Sequence, residues 1–437
     1  MKGRCCIFFL LSAAALMVFP QYKPWYNQYN FVYGTKAMSM GNAFTAVADD
    51  LTAVFWNPAG LAAMRSPEFH FAYQAERQTH DYEPQDNYAA GPDMQYNFSL
   101  NCKLEQINFF SVSVPAEFLK MKWGFAFSYF RYIPYGFKGT AEETLSFLPD
   151  NAVAETATVN FRGSEGFDVL AFTAATAINE YFALGCTVQQ FFGSGTMHLQ
   201  NLNQDGDIHG QYSESLRGRI FIIGMMFRPF KALSLGLTYH SASKNNFDSS
   251  LLVWEVDDLG AEVNRKVFST LALVGIPSQY SLGAALRPAR WLNLSFDYSR
   301  IYWQNATLEN YYVPGSVMPY PQKDDFDSEQ KNFSNLRLGM EINLPLRLFL
   351  LHLRAGWSSD KQLYADRSGQ PVKINGYAAG IAFEFSRTLM LEVAYQRKKA
   401  GWTENGYFMK EQAVASHYKA DLLKFSLTYR FGGIFKE

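Results

Sequence analysis

Apolar and polar side chains alternate one by one through much of this chain, a period of two that commits it to β-strands with one greasy and one polar face. After Trp291, residues Leu292, Leu294, Phe296 and Tyr298 share one face, while Asn293, Ser295 and Asp297 share the other. Leu389, Leu391, Val393 and Tyr395 oppose Met390, Glu392, Ala394 and Gln396, and Leu423, Phe425, Leu427, Tyr429 and Phe431 oppose Lys424, Ser426, Thr428 and Arg430. The same reading places fourteen strands near 66–78, 104–114, 121–132, 166–177, 181–192, 218–228, 232–242, 278–287, 291–303, 332–343, 347–357, 374–386, 389–399 and 418–431.

The connections between these strands are as informative as the strands. Every second one, beginning between the second and third strands, is a turn of two to six residues; the others are long and rich in Asn, Asp, Gly, Ser and Tyr. A membrane barrel has short turns at one rim and long loops at the other, and an even strand number leaves both chain ends on the turn side. A soluble sandwich seldom keeps such an asymmetry. Lipid also demands a closed sheet, because open backbone groups find no partners in hydrocarbon. The expected fold is therefore all-β: a transmembrane antiparallel barrel of fourteen strands, with polar residues such as Asp297, Glu392 and Lys424 facing the lumen. Two hairpins, GMMFRPFKALSLGLTY from Gly224 and GAALRPARWLNLSFDY from Gly283, repeat one plan, with Pro229 and Pro288 in turns because proline cannot donate to a ladder. Tyr129, Tyr132, Tyr298, Tyr302, Trp303, Trp357, Tyr429 and Phe431, near strand ends, suit aromatic girdles at the membrane interfaces.

Composition agrees with this class: aromatic residues make up 16% and charged residues 18%. A net charge of −1 argues against nucleic-acid binding, which needs a concentrated excess of Lys and Arg. Lys2 and Arg4 ahead of an apolar run from Cys5 to Phe19 read as an export signal over 1–20. With Cys5 and Cys6 in that leader, Cys102 and Cys186 remain, too separated for a metal or redox CxxC and open to one bridge. The domain plan is a leader at 1–20, a compact segment at 21–65, the barrel at 66–431 and a short extension at 432–437.

Residues 31–64, FVYGTKAMSMGNAFTAVADDLTAVFWNPAGLAAM, are unlike the rest, being rich in Ala, Met and Gly. Ala43 to Val47 suit a short helix, Asp49 and Asp50 suit turn caps, and Asn57-Pro58-Ala59-Gly60 suits a stiff turn. Small residues permit close packing, and inside a barrel such a segment makes a lumen plug. The pattern Gly34, Ala37, Met40-Gly41, Ala43-Phe44, Ala46, Ala48, Asp49-Asp50 and Trp56-Asn57-Pro58-Ala59-Gly60-Leu61 resembles the N-terminal signature of the FadL-like outer-membrane transport proteins, with further likeness to relatives in spirochaetes and Bacteroidetes. The resemblance implies a hatch plugging a fourteen-stranded monomeric barrel in the outer membrane of a two-membrane bacterium. It makes Asn57, Pro58 and Ala59 the hatch motif, supported by Gly34, Gly41, Ala43, Phe44, Asp49, Asp50 and Gly60. It also implies insertion by the barrel-assembly machinery through the last strand, here with Tyr429 and Phe431 followed by Gly432 to Glu437.

By that resemblance, the expected function is uptake of hydrophobic small molecules such as long-chain fatty acids, bound near the external loops and released sideways into lipid past the hatch. Hydrophobic solute and outer-membrane lipid are the expected partners. Tyr311-Tyr312-Val313-Pro314 and Leu145 with Phe147, Leu148 and Pro149 are candidates for the solute's entrance. The competing reading is a scaffold or secretion-associated docking barrel without solute transport. No catalytic residue is nominated, since the chain lacks a GxSxG elbow, a P-loop and an HExxH motif. His198, His209, His240, His352 and His417 show no metal spacing, no cofactor is expected, and the lysines and arginines are too numerous to single out ligand contacts.

Overall fold

The computed structural model describes residues 33–84, 94–118, 120–147, 152–203, 206–256, 261–305, 308–311, 332–386, 388–405 and 413–432. The expected leader, residues 21–32, the loop positions 148–149 and 312–314, and residues 433–437 lie outside them.

After a short N-terminal segment the chain is strand. The first half holds β1 (Glu68–Pro84), β2 (Met94–Phe118), β3 (Met121–Pro134), β4 (Lys138–Phe147), β5 (Ala152–Ala177), β6 (Phe182–Asn203), β7 (Gly206–Phe230), β8 (Leu233–His240) and β9 (Ser243–Val256). The second holds β10 (Glu262–Ile276), β11 (Gln279–Ala289), β12 (Leu292–Ile301), β13 (Leu308–Tyr311), β14 (Phe333–Pro345), β15 (Leu350–Ala365), β16 (Pro371–Phe385), β17 (Leu389–Asn405) and β18 (Ala413–Arg430). All pairings are antiparallel, and β1 closes the ring by pairing with both β18 and β2.

These segments make fourteen wall strands, because four wall strands are each broken in two. β3 and β4 both lie between β2 and β5 and run in one direction, so they are one strand interrupted at 135–137. β8 and β9 follow each other along β7, interrupted at 241–242. β10 and β11, and then β12 and β13, repeat this around 277–278 and 302–307. Each of the fourteen expected strands falls on one of the wall strands.

The wall has its polarity reversed relative to a soluble protein. Phe125, Phe172, Leu282, Phe296, Leu338, Leu391 and Phe425 point outward and are exposed. Ser128, Thr173, Ser281, Asp297, Glu392 and Lys424 point inward and are buried. That is the arrangement lipid requires of a closed sheet, and it follows the alternation residue by residue.

Several strands extend beyond their expected ends because the rule changes above the membrane. On β2 the outward residues switch from Ile107 to exposed Glu105, Lys103 and Asn101, while Leu104, Cys102 and Leu100 turn inward. Those three pack with Phe137, Val159, Phe161, Met197 and Leu199 in an apolar mouth. The projecting part is thus organised like a soluble sheet, apolar within and polar without.

Two expected girdle residues sit elsewhere. Tyr132 is the extra residue where the β3–β5 register shifts, so it swings into the lumen. Trp303 lies in a single 3₁₀ turn, Trp303–Asn305, beyond β12 and is buried. Tyr429 and Phe431 remain outside at the turn rim, their rings 4.9 Å apart. Cys102 is buried, Cys186 is exposed, and no disulfide joins them.

Candidate functional site

The N-terminal segment, from Tyr33 to Met64, is almost wholly buried inside the ring. It contains helix α1 (Thr35–Ser39), helix α2 (Ala53–Trp56) and a 3₁₀ helix over Pro58–Ala63. Ala43 to Val47 do not form the expected helix. Gly41 and Asn42 stand at φ 62° and 65°, a left-handed pair that ends α1 and redirects the chain. The amides of Phe44 and Thr45 then donate to one carboxylate oxygen of Asp297 on β12, each at 2.8 Å, and a single turn, Ala48 N to Phe44 O at 2.9 Å, ends where Ala48 takes φ 29°.

The Asn57-Pro58 turn is held from three directions. Asn57 Nδ2 donates to the carbonyls of Thr45 (2.7 Å) and Met225 on β7 (3.0 Å), and its Oδ1 accepts from the Ala59 amide at 3.2 Å, capping the 3₁₀ helix that Pro58 opens. Asp50 Oδ1 similarly accepts from the Thr52 amide and hydroxyl at 2.8 and 2.5 Å.

Close approach to the wall depends on glycines that the wall strands place toward the lumen. A Cβ on Gly356 would strike the backbone of Gly41, and one on Gly185 would strike Pro58 and Ala59. Gly224 lies against Asn57, Gly236 and Gly283 against Thr45 and Ala46, and Gly339 against Met40. Within the segment, Gly60 lies against the Ala48 carbonyl and Gly34 against the Thr52 side chain, and Ala43 and Phe44 are fully buried. The signature residues therefore occupy one body but face different wall strands. Gly41 meets β15, and Asn57-Pro58-Ala59 meet β6 and β7.

Asp49 lies on the charged side of the lumen. Lys36 Nζ is 2.9 Å from Asp49 and 3.3 Å from Glu341 on β14. Arg354 on β15 joins Glu341 at 2.7 Å to Glu392 on β17 at 2.6 Å, and Ser426 on β18 donates to Glu392 at 2.9 Å. Burial alone would push the Lys36 ammonium down, but Asp49 and Glu341 outweigh it and hold its pKa above the ordinary lysine value. Burial raises the pKa of the Asp50 carboxyl. Beneath the segment, toward the turn rim, a cavity of about 610 Å³ is bordered by Lys36, Asp50, Trp291, Glu341, His352 and Glu392.

On the other side of the segment the lumen is aromatic. Tyr33 and Phe55 project from the segment 4.5 Å apart, and Phe130 of β3 stands 4.7 Å from Tyr33. Phe109 of β2 stacks on Phe130 at 5.9 Å. Farther out, Tyr132 meets Phe191 at 4.6 Å and Tyr135 meets Phe167 at 5.3 Å. These rings lead from the segment to the interruption between β3 and β4.

That interruption opens the ladder on one side. The β2 rungs pass from Phe109↔Phe130 directly to Lys103↔Lys138, so 104–108 have none toward β3 or β4. Toward β5 the chain stays bonded, with Tyr135 donating its amide to Glu165 O at 3.0 Å and Gly163 to Phe137 O at 2.7 Å. At 241–242, by contrast, the wall is closed: Ser241 N donates to Phe221 O at 2.8 Å, and Phe221 N donates to Ser241 Oγ at 3.0 Å.

Of the entrance candidates, Tyr311 falls in β13 and Leu145 and Phe147 in β4, while the rest lie outside the described residues. Among the described residues, no group of three or more His, Cys, Asp or Glu is placed to hold a metal ion.

Residues 31–431 match the family described as "Outer membrane protein transport protein (OMPP1/FadL/TodX)". The chain belongs to that family, and with it to the outer membrane of a two-membrane bacterium. Comparison with curated proteins gave no match. Among solved structures it is similar to a Pseudomonas aeruginosa FadL homologue, at 14% identity and TM-score 0.61, covering 91% of this chain and 98% of that one. It is similar to the Pseudomonas putida toluene transporter TodX at 12% identity and TM-score 0.58, with 91% and 98% covered. The Ralstonia pickettii toluene transporter TbuX gives 12% identity and TM-score 0.53, with 92% and 98% covered. At these identities the likeness establishes the fold.

Proposed function

We propose that this barrel takes up hydrophobic small molecules that carry a polar end, with long-chain fatty acids as the type, and that Tyr33–Met64 acts as its hatch. The supporting observation is the aromatic series running from Tyr33 and Phe55 to the open ladder beside β3. An acyl chain gains roughly 0.8 kcal/mol per methylene withdrawn from water, so it favours the apolar mouth and the rings beyond over a wet pore. Its polar end is met by Lys398 and Lys424, buried on the inner face of β17 and β18 just round the wall from β2, with Lys424 reaching Asn108 beside the opening at 3.0 Å. Release is sideways at the level of Ile107, where the open ladder meets lipid, because the hatch obstructs the axial route. Solved relatives named as toluene transporters share the fold, which supports hydrophobic cargo as a class.

Gly136 lies within the interruption, where an added Cβ would stand 3.4 Å from Leu104. Gly136→Trp fills that space. Uptake of a radiolabelled long-chain fatty acid by cells carrying this variant is expected to fall about tenfold, with surface abundance unchanged, the equivalent of roughly 1.4 kcal/mol. Unchanged uptake removes the lateral route.

One observation favours the scaffold reading instead: Phe109, Phe130, Phe167 and Phe191 are fully buried, so the rings fill the lumen and must move for a solute to pass. A docking barrel without transport shows no uptake in the wild type, which the same assay reads.

A further inference from the structure

The turn rim of the barrel carries a ring of cations that the uptake route does not use. Lys120 and Lys122 stand at the β2–β3 turn, Lys231 at β7–β8, Arg287 and Arg290 at β11–β12, and Arg347 at β14–β15; all six are exposed. Among the described residues none of the six forms an ion pair, whereas Arg430 at the same rim is paired with Glu68 and Glu384. The exposed acids of these short turns and their flanks are Glu117 and Glu180. A chain of net charge −1 therefore concentrates positive charge at one rim.

Each group of cations has an outward apolar side chain beside it. Phe118 adjoins Lys120, Phe230 adjoins Lys231, Leu286 adjoins Arg287, and Leu348 adjoins Arg347, and all four are exposed, Leu348 at 80%. Apolar side chains at this level lie against acyl chains. A cation one or two residues farther toward the turn then reaches the depth of the head groups, its methylene stem covering apolar surface.

The structure assigns to this rim a binding collar for anionic phospholipid head groups of the leaflet facing the periplasm. Phosphate is the chemistry that clustered, unpaired Lys and Arg beside apolar anchors recognise. The distribution favours lipid over an acidic protein. The cations recur at four turns spread around the circumference, each with its own apolar neighbour, whereas a docked protein needs one contiguous face. A lipid annulus touches every turn at once.

The test uses the full-length mature barrel in nanodiscs of phosphatidylcholine with phosphatidylglycerol as the minority lipid, followed by native mass spectrometry of the lipids retained. Wild type is expected to enrich phosphatidylglycerol over phosphatidylcholine. The combined variant Lys120→Gln, Lys231→Gln, Arg287→Gln and Arg347→Gln is expected to lose that enrichment about tenfold, and added salt is expected to reduce it in wild type. Exchanging Lys and Arg for one another at these positions is expected to preserve enrichment, which separates charge from a folding defect. Absence of enrichment in wild type, or equal enrichment in the glutamine variant, overturns the proposal. So does a glutamine variant that keeps its phosphatidylglycerol but loses binding to polyglutamate, because the collar would then face an acidic polypeptide.

Discussion

Along β2, β3, β5, β6 and β7 the inner wall carries Phe109, Phe130, Phe167, Phe191 and Ile220, whereas along β14, β15, β17 and β18 it carries Arg337, Glu341, Arg354, Asp360, Glu392 and Lys424. Both arcs are buried, and both touch the N-terminal segment. Their contacts differ in kind. The charged arc grips through Lys36 and Glu341, directional bonds that fix the segment at a single place. The aromatic arc takes a directional bond from the segment, Asn57 to Met225 O on β7, and otherwise touches it chiefly through rings, which slide and tilt at small cost per contact. It lines the β3 side of the open ladder, while Lys424 of the charged arc reaches Asn108 on the β2 side. On the proposed function, the charged arc chiefly anchors the N-terminal segment and the aromatic arc chiefly passes the hydrophobic molecule.

Removing the space that both arcs leave for the segment gives the largest effect. Gly356→Val places side-chain atoms where the Gly41 backbone lies, and overpacking of this kind costs about 1–3 kcal/mol or more. The segment is expected to leave its seat, seen as a rise in single-channel conductance and in proteolysis at 33–64. An unchanged closed channel means the fit is looser than the geometry states.

Glu341→Gln attacks the charged arc alone. It removes a carboxylate from between Lys36 and Arg354, and breaking a buried pair costs on the order of 3–5 kcal/mol, only part of which falls on the hatch. Hydrogen exchange over 34–50 is expected to quicken while fatty-acid affinity changes little. If affinity falls as far as protection does, the two arcs do not divide their work.

A smaller effect is expected from Asn57→Ala, which deletes three hydrogen bonds at the junction with β7. About 1–3 kcal/mol of local stability is lost, loosening the segment and raising solute permeability without impairing insertion. Equal conductance and equal exchange protection in mutant and wild type would count against a structural role for that side chain in the hatch.

The sequence reveals the wall better than the lumen, for a physical reason. Lipid imposes one rule on every outward position, so Leu294, Phe296, Leu391 and Phe425 announce their face locally. Inward positions answer to partners far away in the chain: Phe44 meets Asp297 across 253 residues, and Lys424 meets Asn108 across 316. Alternation therefore cannot separate an aromatic arc from a charged one. The short helix expected at Ala43 to Val47 stops after one turn, where Ala48 takes φ 29° and its carbonyl lies against Gly60. The interruption at 135–137 escapes a period-two reading because a few residues turn inward while the strand's direction continues. One signal was available in the two similar hairpins, where Gly224, Gly236 and Gly283 stand in the lumen phase of otherwise well-filled strands. A glycine there marks close approach of another backbone.

The most direct measurement is mass spectrometry of small molecules retained by the wild-type barrel after mild extraction, compared with Gly136→Trp and Glu341→Gln. An acyl-chain-bearing compound held at about one per barrel, and still held when the charged arc is broken, is the predicted result, with Gly136→Trp retaining it but slowing its release. A barrel that retains no hydrophobic molecule in any of the three forms would contradict uptake and leave a sealed wall.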